Sequence, residues 1–260
     1  MNFDISILLP AIRKERWVKL YDSIPKSTKR KFELIIVGPH SLPDELQDKK
    51  NVKCIKDYGN PVRASQIASL VAEGKYLAWA SDDGVYLDGA LDRAIDFLEN
   101  KPNKNIKDVV VNNYFEAGKL ACPGDVLKLK VSYPPCTYLS DDWYNFNVAT
   151  MYTEFFYDLG GYDCSFEVCP FAHADLAARA QRSGARVHVL NESMLDCTHM
   201  PGTSGDHAPV HYAQTEHDQQ LYAQIYEDPQ SLDRIEIDLE NWRKASNIWK
   251  RRFARKNEKI

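Results

Sequence analysis

Lys75-Tyr76-Leu77-Ala78-Trp79-Ala80-Ser81-Asp82-Asp83-Gly84 is the stretch on which the reading of this chain turns. Its apolar run, Tyr76–Ala80, reads as a strand covered on both faces, and it leads straight into two adjacent acids. In open α/β sheets ligands bind beyond the carboxyl ends of strands. A carboxylate there can hold a hard divalent cation, and the cation can neutralise charge that develops on a diphosphate. Ser81-Asp82-Asp83-Gly84 equally suits a plain polar turn, because Asp and Gly favour turns. The surroundings decide between the two.

Working outward, strand and helix patterns alternate. Ile5–Leu9, Phe32–Val37, Val52–Ile55 and Asp108–Val111 are further apolar runs. Glu15–Ile24 and Ala90–Leu98 carry apolar residues at helical spacing. A third helix opens at Pro61, which fits a first turn, and Gly74 closes it. The strand runs are continuous rather than alternating, which suits a mainly parallel sheet with both faces covered. Right-handed crossovers then give a Rossmann-like α/β layer. Farther on, the pattern predicts helices over Tyr152–Leu159 and Ala172–Arg182. A strand is expected over Arg186–Leu190, a loop from Met200 to Gln214, and a helix over Leu239–Phe253. The expected organisation is one α/β domain over residues 1–235 and a basic amphipathic C-terminal helix over 236–260.

The 260 residues are 44% hydrophobic and 27% charged, which allows a large core without disulfide staples and excludes fibrous and disordered classes. A net charge of −4 excludes a generally basic nucleic-acid binder, and no nucleic-acid partner is expected. That charge is unevenly spread. From Arg243 onward there are eight basic residues and one acid, so the preceding body stands at −11. No apolar run reaches membrane-helix length, and Met1–Pro10 lacks the basic-then-apolar pattern of a signal peptide. The six cysteines include no C-x-x-C pair and are expected as reduced thiols in a cytoplasmic protein.

Three further groups can carry chemistry. His173 and Asp175 open the Ala172–Arg182 helix, where either can serve as a general base if it faces the ligand edge. Asp175 equally suits a first-turn acid interacting with the helix dipole. His199, His207, His211 and His217, with Cys164, Cys169 and Cys197, raise a zinc alternative. Their spacings match no familiar zinc module, and a single histidine beside Asp82 and Asp83 is more economical, His199 first. Finally, Leu239, Trp242, Ala245, Ser246, Trp249 and Phe253 recur at helical spacing among basic residues. Such a helix either lies on an anionic membrane surface, as a peripheral contact, or docks on the acidic body.

Taken in order, these pieces resemble a family 2 glycosyltransferase of the GT-A fold. The opening strand runs into Pro10-Ala11-Ile12-Arg13, where that family has a nucleotide-contacting loop. Asn60-Pro61-Val62-Arg63-Ala64-Ser65-Gln66, followed by Ala72-Glu73-Gly74-Lys75-Tyr76, is similar to its "ARN…akGeyi" segment. Ser81-Asp82-Asp83 falls at its DXD motif. Gly160-Gly161-Tyr162-Asp163 resembles "lGGfD", and Ala172-His173-Ala174-Asp175-Leu176 with Arg179 and Gly184 resembles "EDvDLclR…G". The resemblance spans residues 4–200.

The resemblance implies a metal-dependent, inverting transfer of a sugar from a nucleoside-diphosphate donor, a UDP-sugar first. The acceptor would be a hydroxyl of a glycan or lipid-linked glycan, in surface polysaccharide or glycoconjugate synthesis. It implies Mn²⁺ or Mg²⁺ on Asp83, with Asp82 as a ribose or second metal contact and His199 beside them. Arg63 would lie near the nucleotide, and Pro10, Ala11, Ile12 and Arg13 would line the base and ribose pocket. The implied base is Asp175, with His173 kept beside it. Asp141, Asp142, Trp143 and Tyr144 would help form the acceptor side. The chain also departs from the pattern. Val37-Gly38-Pro39-His40 lacks the usual acid after the second strand, Ser81 takes the first DXD position, and Ala172-His173 stands where the family has Glu-Asp. Two alternatives follow, a non-catalytic GT-A nucleotide- or glycan-binding protein and a zinc-bearing interaction protein.

Overall fold

The computed structural model describes residues 3–121, 144–198, 205–227 and 233–253. The first half alternates as expected: β1 (Phe3–Pro10), α1 (Trp17–Ser27), β2 (Phe32–Gly38), a short α2 (Asp44–Gln47), β3 (Val52–Lys56), α3 (Pro61–Leu70), β4 (Gly74–Trp79), β5 (Gly84–Tyr86) and α4 (Ala90–Asn100). The second half holds β6 (Asp108–Glu116), β7 (Lys119–Ala121), β8 (Ala149–Tyr152), α5 (Thr153–Asp158), α6 (Cys169–Arg182), β9 (Arg186–Cys197), α7 (Ala208–Ala213), α8 (Gln219–Glu227) and α9 (Lys250–Phe253).

Among the described residues, nine strands form one sheet in the order β3-β2-β1-β4-β8-β6-β9-β5, with β7 paired to β6. β3, β2, β1 and β4 are parallel, with Ile7 opposite Leu34 on one side and Ala78 on the other. Their continuous apolar runs serve two cores at once. Leu8, Ile35, Val37, Leu77 and Trp79 pack with Val62 and Ala68 of α3 and Leu176 of α6. The alternate residues, Ile7, Leu9, Leu34, Ile36 and Ala78, pack with Trp17 and Leu20 of α1 and Leu91 and Ile95 of α4. A strand whose two faces both meet helices has no polar face to show, so it reads as an uninterrupted hydrophobic run.

The other half of the sheet is mixed rather than parallel. β8 runs antiparallel to both β4 and β6, and β5 antiparallel to β9, while β9 is parallel to β6. These reversals reside in short strands that carry no long apolar run.

Two expected elements are corrected. The Met200–Gln214 loop contains a 3₁₀ turn at Gly205–His207 and then α7, opened by a proline in its first turn. The Leu239–Phe253 helix is not one helix. A 3₁₀ turn at Asn241–Lys244 and the short α9 flank an extended link. The carbonyls of Trp242 and Ala245 accept hydrogen bonds from the Arg63 guanidinium, at 2.6 and 3.2 Å, instead of continuing a helical ladder. Ile248 bridges Tyr58 in parallel, and the Trp249 amide donates to the Tyr58 carbonyl at 2.8 Å. Trp249 is buried, its indole N–H on Glu167 at 2.7 Å, and Arg251 bonds Glu167 and Glu216. Residues 241–253 of the basic end are thus docked on the acidic body, and 254–260 lie outside the described residues. Among the described residues no helix is long and apolar enough to cross a membrane.

Candidate functional site

The carboxyl ends of β1, β2 and β4 open into a cavity of about 300 Å³. Pro10, Ala11, Ile12 and Arg13, the loop after β1, are among its lining residues. That loop presses on the end of β2 so closely that a Cβ on Gly38 would collide with the Ala11 carbonyl. The glycine in Val37-Gly38-Pro39 is therefore a requirement of the cavity wall, in the segment where an acid is missing.

Asp82 holds the loop in place. One carboxylate oxygen accepts from the backbone amides of Ile12 at 2.6 Å and Arg13 at 2.7 Å, and the other accepts from the Arg13 guanidinium. Both residues are buried. Hydrogen bonds from backbone amides and a guanidinium onto one carboxylate are among the strong ones in proteins. Here they join residues some seventy positions apart, the end of β4 and the loop after β1. Asp83 also lines the cavity. It accepts from the Ser81 hydroxyl, and its other oxygen lies 3.7 Å from Nε2 of His207. That His207 nitrogen meets the Arg13 guanidinium at 2.7 Å. Asp82, Asp83, Arg13 and His207 therefore make one charged wall.

The two candidate bases separate. His173 lines the cavity, its ring stacked 5.3 Å from the Trp79 indole and 5.6 Å from Tyr162. Burial among these rings pushes its pKa down to about 3, because a charged imidazole has no solvation there. Asp175 does not line the cavity. It is 0% exposed on the far side of α6 and takes Arg179 Nε at 2.8 Å, the Tyr226 hydroxyl at 2.7 Å and Arg234 Nη1 at 2.5 Å. Burial alone would raise its pKa, but Arg179 and Arg234 outweigh it and hold the carboxyl below its usual range. The expectation that Asp175 deprotonates an acceptor is corrected on this placement, since a carboxylate saturated by two cations and a phenol is a structural counter-ion.

The same cluster explains the Gly160-Gly161-Tyr162-Asp163 signature. Both glycines have positive φ, 77° and 72°, and end α5 in the left-handed region. Arg179, fully buried, donates to the carbonyls of Leu159 at 2.6 Å and Gly161 at 2.5 Å. Asp163 pairs with Arg234. The motif fastens the helix to the turn before it and does not reach the cavity.

Arg63 is buried and is not among the residues that line the cavity. It pairs with Asp57 at 3.1 Å, lies 4.9 Å from the Trp242 ring and binds the two C-terminal carbonyls described above. It positions Asp57, which lines the cavity, and the C-terminal segment. Asp57 is an acid that the motif reading passed over. It stands beyond the end of β3, where any parallel strand delivers its side chains to the ligand edge. Glu116 at the end of β6, Trp249 and Arg252 also line the cavity and were missed. The last two come from the opposite end of the chain and carry no local signal.

His199 lies outside the described residues, as do Asp141, Asp142 and Trp143 of the expected acceptor side. The amide of Tyr144 donates to Gln181 at 2.9 Å. Among the described residues no group of three or more His, Cys, Asp or Glu side chains converges as a metal site. Burial pushes the thiols of Cys169 and Cys197 up to about 12, which keeps them protonated at neutral pH.

No family model matches the chain, and no curated protein matches it. Solved structures do. Staphylococcus aureus TarS superposes with a TM-score of 0.57 at 14% identity, over 90% of this chain and 50% of that one. This chain thus spans half the length of that TarS chain. TarS 1–349 in complex with UDP gives a TM-score of 0.56 at 14% identity, covering 98% of this chain and 92% of that one. TarS 1–349 in complex with UDP-GlcNAc gives 0.58 at 16% identity, covering 92% and 72%. At such identities the likeness speaks for the fold, and the fold is the GT-A-like α/β architecture that the ordered motifs imply.

Proposed function

We propose that this chain is a nucleotide-sugar glycosyltransferase. The observation that carries the reading is the wall of Asp82, Arg13 and Asp83 at the carboxyl ends of β1 and β4. It stands on a fold shared with a protein solved with UDP and with UDP-GlcNAc. The donor in this reading is a UDP-sugar, and the acceptor is a hydroxyl of a glycan or lipid-linked glycan, as in surface polysaccharide synthesis. The Pro10–Arg13 loop takes the base and ribose, and Asp82 is the positioning residue that holds it.

A divalent cation, Mn²⁺ or Mg²⁺, belongs to the proposal. Its carboxylate in this chain is Asp83, whose hard oxygens suit either ion. His199 is proposed beside it, while the oxygens of Asp82 are already engaged by three donors. When bound, the ion supplies positive charge to the leaving diphosphate. Inverting transfer needs a base for the acceptor hydroxyl. Of the two residues named for it, His173 lines the cavity, and Glu116 is a carboxylate that lines it as well.

The test is a panel of UDP-, GDP- and dTDP-sugars with Mn²⁺, read by calorimetry and by slow donor hydrolysis. Binding of one donor with metal-dependent hydrolysis is expected. Failure of every donor to bind, with or without metal, overturns the proposal.

One observation favours a second reading, a domain that binds donor without transferring. The favoured base is locked outside the cavity, and burial leaves His173 with little affinity for the proton a base must accept. Substitution separates the readings. In an enzyme, Glu116→Gln or His173→Ala abolishes transfer and spares donor binding. In a binding protein there is no transfer to lose.

A further inference from the structure

Two arginines, and no lysine, line the cavity among the described residues, Arg13 and Arg252. Their situations differ. Arg13 is spent on the wall itself, one guanidinium nitrogen on Asp82 and the other on the His207 ring. Arg252 comes from α9, in the segment docked through Tyr58 and Glu167, and its guanidinium lies 5.1 Å over the Trp249 ring. Among the described residues its side chain makes one hydrogen bond, Nη2 to the Asp206 carbonyl, and that is long at 3.3 Å. Its Nε is shielded from solvent and has no hydrogen-bond partner among them. It forms no ion pair among the described residues, although Asp82 and Asp206 lie close enough to act on it electrostatically.

A half-buried guanidinium that forms no ion pair gains from an anion that enters beside it. Burial, and to a lesser extent repulsion from Arg13, lower its pKa below the usual arginine range, against the opposing pull of Asp206 and Asp82. The planar fork of arginine matches phosphate oxygens in pairs. Of the four acids that line the same cavity, Asp57 is paired with Arg63 and Asp82 with Arg13, and neither Asp83 nor Glu116 forms an ion pair with Arg252 among the described residues.

We propose that Arg252 binds the diphosphate of a nucleoside-diphosphate donor, so that the C-terminal segment completes the donor site. This rests on the donor reading given above. It assigns the docked basic end a task in the cavity, with Trp249 as the platform that holds the guanidinium over it. Arg13 then shapes the loop while Arg252 supplies the positive charge that meets the ligand.

The experiment compares wild type, Arg252→Met and Arg252→Lys for binding of UDP and of uridine, by NMR titration at fixed ionic strength. Uridine has no phosphate and reports on the folded loop. Arg252→Met is expected to weaken UDP about tenfold or more while uridine stays within about twofold, and Arg252→Lys to recover part of the loss. UDP affinity unchanged in Arg252→Met overturns the proposal and leaves the donor reading standing. Wild-type protein that binds neither UDP nor GDP nor dTDP overturns both. If Arg252→Met loses uridine as well, the lysine variant decides. A smaller loss confined to UDP supports the assignment, and wild-type affinity for UDP sinks it.

Discussion

Two charged clusters lie one on each side of α6, and both come from segments that look alike in kind: an acid, an arginine, a glycine turn. On the cavity side, Asp82 and Arg13 pair beside Asp83, His207 and Arg252, and Arg252 keeps an unsatisfied nitrogen. On the far side, Asp175, Arg179, Asp163, Arg234 and Tyr226 bond one another and the turn carbonyls of Leu159 and Gly161. The first cluster faces open volume with bonding capacity to spare. The second has filled its capacity from within. A charged motif serves chemistry where its polar atoms exceed their internal partners, and serves architecture where the numbers match.

The sharpest way to break this contrast is Arg179→Met. It leaves Asp175 buried with Arg234 as its one remaining cation and takes the side-chain donor from the Gly161 carbonyl, so it should cost about 3–5 kcal/mol in urea unfolding. Donor affinity of the protein that remains folded should equal wild type. Near-wild-type stability would show that the far cluster is not what fastens α6.

Next comes Asp83→Asn, which should reduce transfer or donor hydrolysis about a hundredfold, equivalent to about 2.7 kcal/mol, by removing the carboxylate offered to the cation. Unfolding should shift by less than about 1 kcal/mol, because the amide has the carboxylate's shape and keeps an oxygen for the Ser81 hydroxyl. An active variant, or an unstable one, would move Asp83 from the chemical cluster to the structural one.

Gly161→Ala should fall below these. The new methyl group would sit at a φ of 72° and meet the Gln66 side chain. The expected cost is about 1–3 kcal/mol, in stability alone. Lost donor binding at unchanged stability would contradict the separation of the turn from the cavity.

The smallest effect is a pH dependence. His173 titrates near 3 when folded and near ~6.5 when unfolded. The unfolded chain therefore takes up a proton that the folded one refuses as pH falls below the unfolded value. Stability is complete above that value and erodes through the interval down to the folded one. Between pH 6 and pH 5, wild type should lose up to about 1 kcal/mol more than His173→Asn. Urea curves at the two pH values read the difference, and parallel losses would show that the ring is hydrated.

Much of the parallel half was legible in the sequence because its strands are buried on both faces. Ile5–Leu9, Phe32–Val37 and Tyr76–Ala80 are apolar at every or nearly every position, and no competing pattern explains that. The mixed half was not legible, since β5, β7 and β8 are short and are defined by their partners across the sheet. The C-terminal segment misled for a related reason. Trp242, Trp249 and Phe253 do recur at helical spacing, but Arg63, nearly two hundred residues earlier, captures the carbonyls a helix would need. At the site, Asp82 and Asp83 were readable from their place after β4. The place of Asp175 is not legible, because spacing along α6 cannot show which way the helix is turned. His173, two residues before it, faces the cavity instead.

The direction of β1 has a practical side. Its C-terminal end delivers Pro10 to the cavity, so Phe3 begins at the opposite edge of the sheet, eight residues and roughly 25 Å away. Arg252 lies at the cavity itself. An affinity tag, a fluorophore or a surface tether attached ahead of β1 would leave the mouth of the cavity clear. A bulky label placed beside Arg252 would crowd the cavity and report on its own obstruction.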